Sequence, residues 1–398
     1  MRKLLSSPVK MPLSEVENQI YQKILTLVPD LMLNLMAVKV DNHPEDFVSW
    51  CRELGRLCRE GINFDLLEPT QLPQLKKLQD TLESGVSIAQ LKMLRIAPWP
   101  IYSQFIIENK ITQALEERLA LIDYLNSIKE TPLANMIEED RLAFAGKHTS
   151  GHDIAIYTFD VEWFSSTKGA KSFHQLLQNH PEAFDLALSF IPRTGDVSFQ
   201  DYQKFVSHYQ RIFTEHTQGE KAPLMPATRL LAMHRPDQFI ALTNAKVDVI
   251  CQGLGIVKLS NKAFDDYWHD LIGTLRTMSW WHQSAPESDT EDQTELKLWQ
   301  SRALFIDLFL FADETTAQQS NFIRLSEKAK NQANNKATSR AAAPIKRTKE
   351  SAESLVDKAL LNEELPAYIQ DKRDSIVKAV KEGKSVDHVI KMMRAIFG

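Results

Sequence analysis

Two histidines followed by carboxylates form the densest group of side chains in this sequence that could do chemistry. His148 and His152 are four residues apart, and Asp160 and Glu162 follow them. Imidazole and carboxylate groups can together bind a divalent cation and activate water for phosphodiester hydrolysis. Gly151 between the histidines disfavours a helical metal clasp, and no nuclease signature follows. The group therefore predicts a polar loop, with a metal-dependent nuclease site as the alternative.

A second group of candidate residues lies in the stretch 221–250, which combines helix, proline and cap signals more densely than any other part of the chain. Its first helix is expected to stop at about Arg235, because Pro236 pushes the residue before it out of the helical region. Arg229 and Arg235 could contact nucleic-acid phosphates, because the guanidinium fork matches phosphate oxygens. The alternative is that arginines beside a proline break pair with a nearby carboxylate, here Asp237. Packing does not explain these two arginines or His234, so a ligand would be sought first at these three residues.

A basic segment, residues 321–350, carries eight lysines and arginines against two glutamates, a local balance of +6. Its composition is typical of a flexible linker. Such a segment can also bind nucleic-acid phosphates without sequence preference, and its affinity then falls steeply with salt. The predicted nucleic-acid ligands in it are Lys336, Arg340, Lys346, Arg347 and Lys349.

Four of the seven tryptophans fall within a short part of the chain, between Trp268 and Trp299. Aromatic residues at helical spacing usually belong to a core, but they also form partner surfaces or stack on bases. Trp280 and Trp281, which are adjacent, are the candidate partner-binding residues. In the following helical pattern Arg302 and Asp307 are charged, and if buried they need partners.

The elements that must position these residues are mostly helices, so the predicted fold is mainly α. We expect a multi-helical N-terminal domain over 1–146, in which Ser14 begins a capping box. A mostly helical central domain over 147–318 is expected to contain at most a few short strands, and the junction 145–169 is expected to contain either a single short strand or an extended connector. A flexible linker over 319–351 and a small helical module over 352–398 follow.

Composition limits the classes of function. The chain has 398 residues, 43% of them hydrophobic, with a formal net charge of −5. A folded core is therefore expected, and any binding to nucleic acid must come from a local patch. Three dispersed cysteines favour buried thiols in a reducing compartment, and Cys51 and Cys58, seven residues apart, are expected to share one face of a helix. The absence of a signal-peptide pattern or long apolar run favours the cytoplasm. No cofactor or metal-binding motif is present, so none is predicted.

Several central motifs resemble a recurrent pattern in uncharacterised bacterial proteins, some of them associated with mobile elements and antiphage defence. The motifs are ALSFIP, VSFQDY, PATRLLAMHRPDQFIAL, FDDYWHDLI, SWW and LWQSRALFID, within residues 182–310. The resemblance carries no established active site. Together with the basic segment, it leads us to expect a non-enzymatic, DNA-associated accessory or scaffold subunit of a multi-protein complex. The alternatives are the metal-dependent nuclease and a purely protein-binding subunit.

Overall fold

The computed structural model describes residues 2–3, 12–28, 31, 39–40, 44–61, 67–68, 70–286, 293–312, 322–328, 351–362 and 365–397. Helices dominate this part of the chain, which confirms the mainly α prediction. The β pairing seen there is a two-residue antiparallel contact between Arg2–Lys3 and Lys39–Val40. None of the described helices is both long enough and apolar enough to cross a membrane.

The described residues divide into two compact units. One contains those of 1–86 and 339–398, and the other contains those of 87–338. This division differs from the boundaries expected from the sequence. Residues 91–145 share one apolar core with residues up to 310, so no boundary falls near residue 146. The C-terminal module belongs to the same unit as the N-terminal helices.

The first unit is built from helices of both chain ends. Its N-terminal helix begins at Ser14 with the predicted capping box to Glu17. Cys51 and Cys58 are buried, and burial raises the pKa of both thiols, so they stay protonated and pack as apolar groups. The described helices of this unit are Glu15–Leu27, Phe47–Arg56 with a π-turn at Leu57–Gly61, the first part of Leu72–Ile96, Ala352–Asn362, Ala367–Gln370, Arg373–Lys381 and Val386–Phe397.

The C-terminal helices form an apolar cluster in which Val356, Ile369 and Ile376 are fully buried. The side-chain amide of Gln79 donates to the carbonyl of Ile396 at 2.5 Å, so the last helix is bonded to an N-terminal one. A chain shortened at residue 320 would lose part of a folded unit and would not simply lose a tether.

The second unit is organised around a helix we call the central helix, Leu224–His234, all eleven residues of which are buried. As the sequence predicts, Pro236 ends it, with Arg235 as the C-cap. The α-helices around it include the second part of Leu72–Ile96, Trp99–Glu108, Leu115–Ile128, Glu138–Ala145, Lys171–Asn179, Pro181–Ser189, Phe199–His216, Val247–Leu254 and Thr294–Gln300. A further helical run consists of Phe264–Asp266, the π-helical Tyr267–Ile272 and Gly273–Arg276. Short 3-10 turns form at Ser279–His282 and Leu304–Phe309.

The junction 145–169 contains turns, and the short strand, one of the two alternatives expected there, does not form. It begins at Gly146, whose φ of +81° lies in the left-handed region that favours glycine. A Cβ atom at this position would overlap the carbonyl oxygen of Ser165. The glycine therefore lets the two ends of the junction approach each other beside the central helix.

Candidate functional site

The structure brings together the four residues of the predicted nuclease site, but within a packed interior. His148, His152 and Asp160 are only 5–6% exposed. The two imidazole ring centroids lie 4.7 Å apart, and the backbone N–H of His148 donates to Glu162 Oε1 at 3.2 Å. The spacing in the sequence therefore correctly predicted that the four side chains lie close together. Their burial could not be predicted from the spacing, because it depends on the whole fold.

Both ring nitrogens of His152 are engaged. Nδ1 lies 3.1 Å from the backbone N–H of Thr149, which can only donate, so Nδ1 accepts. Nε2 lies 3.1 Å from the carbonyl of Glu139, which can only accept, so Nε2 carries the proton. Burial lowers the pKa of His152, which keeps the ring neutral. Neither nitrogen is left to ligate a cation.

Within the part of the chain that the structure describes, no group of three or more His, Cys, Asp or Glu side chains is placed to hold a metal ion. The metal-dependent nuclease site suggested for His148, His152, Asp160 and Glu162 is therefore not formed by these side chains. Their polar-loop interpretation fits the geometry better.

Asp160 instead holds two segments of backbone. Its Oδ1 accepts from the N–H of Glu162 at 2.9 Å, and its Oδ2 accepts from the N–H of Phe322 at 3.0 Å. Burial favours the neutral acid, but these N–H groups and the nearby His148 imidazole outweigh it and hold the pKa of Asp160 below its ordinary value. The carboxylate therefore anchors the start of helix 322–328, at the beginning of the basic segment.

Arg229 is 0% exposed and is committed to the interior. Its guanidinium donates at 2.5–3.5 Å to five backbone carbonyls, those of Ala143, Phe144, Val161, Trp163 and Ser165. Burial lowers the pKa of Arg229 to about 9, so the group remains charged at neutral pH. Contact with nucleic-acid phosphates, predicted for this residue, is corrected: its donors hold the junction 145–169 and the preceding helix end.

Arg235 is also buried and internally paired. It makes two parallel bonds of 2.8 Å to Asp237, which confirms the carboxylate pairing proposed as the alternative from the sequence. Its remaining donors bind the carbonyls of Pro192 and Gly195. The guanidinium fork is thereby filled, and the predicted phosphate contact of Arg235 is likewise corrected.

Trp280 and Trp281 lie in the core, so the prediction that they form a partner surface is corrected in favour of the core alternative. The indole N–H of Trp280 donates to the carbonyl of Leu94 at 3.2 Å. Its ring centroid lies 5.0 Å from that of Tyr102. Buried indoles need such a partner for the N–H, and here one is provided.

Trp281 also belongs to an alternating stack of rings and guanidinium groups. Arg276 lies 4.6 Å from the Trp268 ring centroid and 5.9 Å from that of Trp281. Arg302 lies 5.4 Å from Trp281 and 4.5 Å from Trp299. Each such contact contributes about 0.5–2 kcal/mol. The stack explains the concentration of tryptophans and gives Arg302 the interaction that its burial requires.

Asp307 obtains two cationic partners. Arg118 donates to it at 2.8 Å and Lys246 at 2.5 Å, and Asp307 is almost fully enclosed. Burial opposes its ionisation, but the two cations hold its pKa below the ordinary value. Arg118 had no signal in the sequence, because it precedes Asp307 by 189 positions.

The predicted nucleic-acid ligands Lys336, Arg340, Lys346, Arg347 and Lys349 lie outside the described residues. The described start of the basic segment, helix 322–328, carries two further cations. Both Arg324 and Lys328 are exposed.

The two ends of the central helix open onto different cavities. Its N-terminal end, with Met225 and Pro226, lines a polar cavity of about 460 Å³ that also contains Lys171, Lys221 and Asn244. Its C-terminal end, with His234, lines a mainly apolar cavity of about 420 Å³. Of the three residues unexplained by packing in the sequence, His234 is thus the one that reaches a cavity.

Comparison of the chain with protein-family models, with curated proteins and with solved structures gave no match. The resemblance to bacterial proteins associated with mobile elements and antiphage defence stays a prediction. The function of the chain is therefore inferred from its own residues.

Proposed function

We propose that the chain is a non-enzymatic, DNA-associated accessory subunit that binds duplex phosphates through the basic segment. The observation that carries this proposal is the anchoring of that segment. Asp160 binds the backbone of Phe322, and the Phe322 ring lies 5.4 Å from the His148 ring centroid. The exposed cations Arg324 and Lys328 follow directly. The start of the positively charged segment is thereby held by the folded unit, with these two cations exposed to solvent.

The buried, internally paired polar side chains of the second unit support a scaffold role. Arg229, Arg235 and Asp307 are buried and paired, and His152 has both ring nitrogens engaged. Charges held in this way fix the positions of loops, which suits a unit that presents a binding segment to other components. We further propose that these components belong to a bacterial antiphage-defence or mobile-element complex, as the sequence resemblance implies.

Neutralising the predicted phosphate ligands is expected to weaken DNA binding by at least tenfold at about 50 mM salt, because each lost phosphate contact removes a counterion-release contribution. The variant replaces Lys336, Arg340, Lys346, Arg347 and Lys349 by glutamine in the full chain. The slope of log affinity against log salt should become shallower by up to about 4.5. Fluorescence anisotropy with a labelled duplex at two salt concentrations measures both quantities.

A matched control variant shows whether the loss of DNA affinity depends on the positions of the removed charges or on the change in net charge. It replaces five exposed lysines elsewhere by glutamine, at Lys77, Lys110, Lys204, Lys262 and Lys391. The control should retain most of the affinity. Equal losses in the two variants would remove the role given to the basic segment, and absence of DNA binding by the unaltered chain would favour the purely protein-binding subunit.

The anchor itself is tested by Asp160→Asn. An amide nitrogen cannot accept a hydrogen bond, so one of the two backbone N–H groups bonded to Asp160 loses its acceptor. We expect faster amide exchange in a peptide covering residues 322–328, measured by hydrogen-exchange mass spectrometry. Asp153→Asn is the control, because Asp153 is exposed and its carboxylate accepts from the local N–H of Ala155. Unchanged exchange at 322–328 in the Asp160 variant would show that the anchor contributes nothing.

A further inference from the structure

The apolar cavity beside His234 has the size and walls of a small-molecule site. Its volume of about 420 Å³ falls within the range of about 300–1,000 Å³ usual for ligand pockets. Leu133, Met136, Phe144 and Leu188 contribute buried apolar surface to the walls. Walls of this kind suit a ligand with an apolar body.

His234 provides a hydrogen-bond acceptor in this apolar surrounding. Its Nε2 lies 3.1 Å from the carbonyl of Ile191, which can only accept, so Nε2 carries the proton and Nδ1 bears the lone pair. Nδ1 has no hydrogen-bond partner among the described residues. Burial, followed by the charge of Arg193, lowers the pKa of His234 to about 4, so the ring is neutral at pH 7.

The rim of the cavity is held by bonds between its own residues. Arg193 donates to the carbonyl of Lys129 at 2.8 Å. Asp185 accepts from the backbone N–H groups of Leu133 and Ala134 at 2.7 and 2.9 Å, one on each carboxylate oxygen. These bonds connect three segments of chain and preform the opening.

The charges around His234 favour an anion. The charged groups that act most strongly on the imidazole are the cations Arg193, Arg235 and Lys129. Arg193 is exposed at the mouth, whereas Asp185 has both oxygens occupied by backbone N–H groups. Glu130, the other acid of the lining, is exposed to solvent, which screens its charge as it screens that of Arg193.

We propose that this cavity binds a small aromatic carboxylate whose ring system carries one N–H or O–H donor. The donor bonds to His234 Nδ1, the ring system lies between Met136 and Leu188, and the carboxylate lies at the mouth near Arg193. A ligand that covers Nδ1 without bonding to it would leave a buried acceptor unpaired, which costs free energy, so the site selects ligands that carry a donor. The proposal is independent of DNA binding.

Isothermal titration calorimetry of the full chain with three probes separates the contribution of the ligand's donor from that of its carboxylate. Indole-3-acetate has the donor and the charge, 1-benzothiophene-3-acetate keeps the shape and charge but lacks the donor, and indole-3-acetamide lacks the charge. Indole-3-acetate should bind at least tenfold more tightly than either analogue. Equal affinity for the two carboxylates, or no heat from indole-3-acetate at millimolar concentration, would overturn the proposal.

Substitutions in and near the cavity test whether the ligand binds there. Met136→Trp fills the space and should abolish binding, whereas Leu186→Trp adds the same side chain at a 49% exposed position outside the lining and should leave binding intact. If Met136→Trp lowers the melting temperature, Ser189→Trp at the exposed rim is the second test.

Arg193→Gln should weaken indole-3-acetate several-fold and leave indole-3-acetamide unchanged. Binding that survives both rim and wall tryptophans would assign the ligand to another site.

Discussion

Replacing Arg229 by methionine is expected to lower the free energy of unfolding of the second unit by about 3–5 kcal/mol. Methionine fills much of the space but donates to none of the five carbonyls that the guanidinium holds. It also removes the cation that faces the charges of Asp160 and Glu162. Chemical denaturation followed by tryptophan fluorescence measures the change, because six of the seven tryptophans lie in this unit.

Two further substitutions identify the origin of the effect. Arg229→Lys keeps the charge but offers three donors, so it should fall between the wild-type chain and the methionine variant. Arg324→Met removes an exposed guanidinium and should change the free energy of unfolding by less than about 0.5 kcal/mol. Similar stability of Arg229→Met and the wild-type chain would mean that the carbonyls find other donors.

The free energy of unfolding is expected to fall as the pH decreases from about 6.5 to 4. Burial lowers the pKa values of both His174 and His234 to about 4. Above pH 6.5 both histidines are neutral in the folded and the unfolded chain, so their contribution is fully present. Between pH 6.5 and 4 only the unfolded chain takes up the two protons, and each histidine removes up to about 3 kcal/mol.

Unfolding curves at several pH values between 7.5 and 4.5 test this dependence. His174→Gln should reduce the loss by about half, because the amide cannot be protonated but can still donate to the carbonyl of Thr167, as Nε2 does now. His208→Gln, which changes a half-exposed ring on the helix Phe199–His216, is the control and should retain the full dependence. A free energy of unfolding that stays constant down to pH 4.5 would contradict the buried, neutral state of these rings.

Local patterns in the sequence were sufficient for the helices and their ends. The capping box at Ser14 and the stop at Pro236 depend on residues within one turn of each other, and both form as predicted. The buried state of Cys51 and Cys58 followed from their shared helical face. Such features need no knowledge of the rest of the chain.

The roles of the buried charges could not be predicted, because their partners are distant in sequence or belong to the backbone. Arg229 binds carbonyls 64 to 86 positions earlier, and a carbonyl has no residue type that a pattern could reveal. Arg118 and Lys246 meet at Asp307 only in the folded unit. Likewise, nothing in the spacing of His148 and Asp160 indicates that Phe322 completes their cluster.

The cavity beside His234 shows the same limit. His234 attracted attention as a residue that packing did not explain, but the walls around it come from separate parts of the chain, near Leu133, Leu188 and Pro192. No single stretch of sequence contains enough of them to predict a cavity. The sequence therefore indicated the cavity only through His234, a polar residue at the end of the central helix.

The pairing of both chain ends in the first unit has a consequence for biosynthesis. Its N-terminal helices are made before the second unit, but the helix Val386–Phe397, which is bonded to Gln79 through Ile396, is made after it. At about 5–20 residues per second, the N-terminal helices wait on the order of tens of seconds for this partner. During that time the second unit can fold as an uninterrupted stretch. Chains terminated after residue 338 would therefore contain a complete second unit and an unfinished first one.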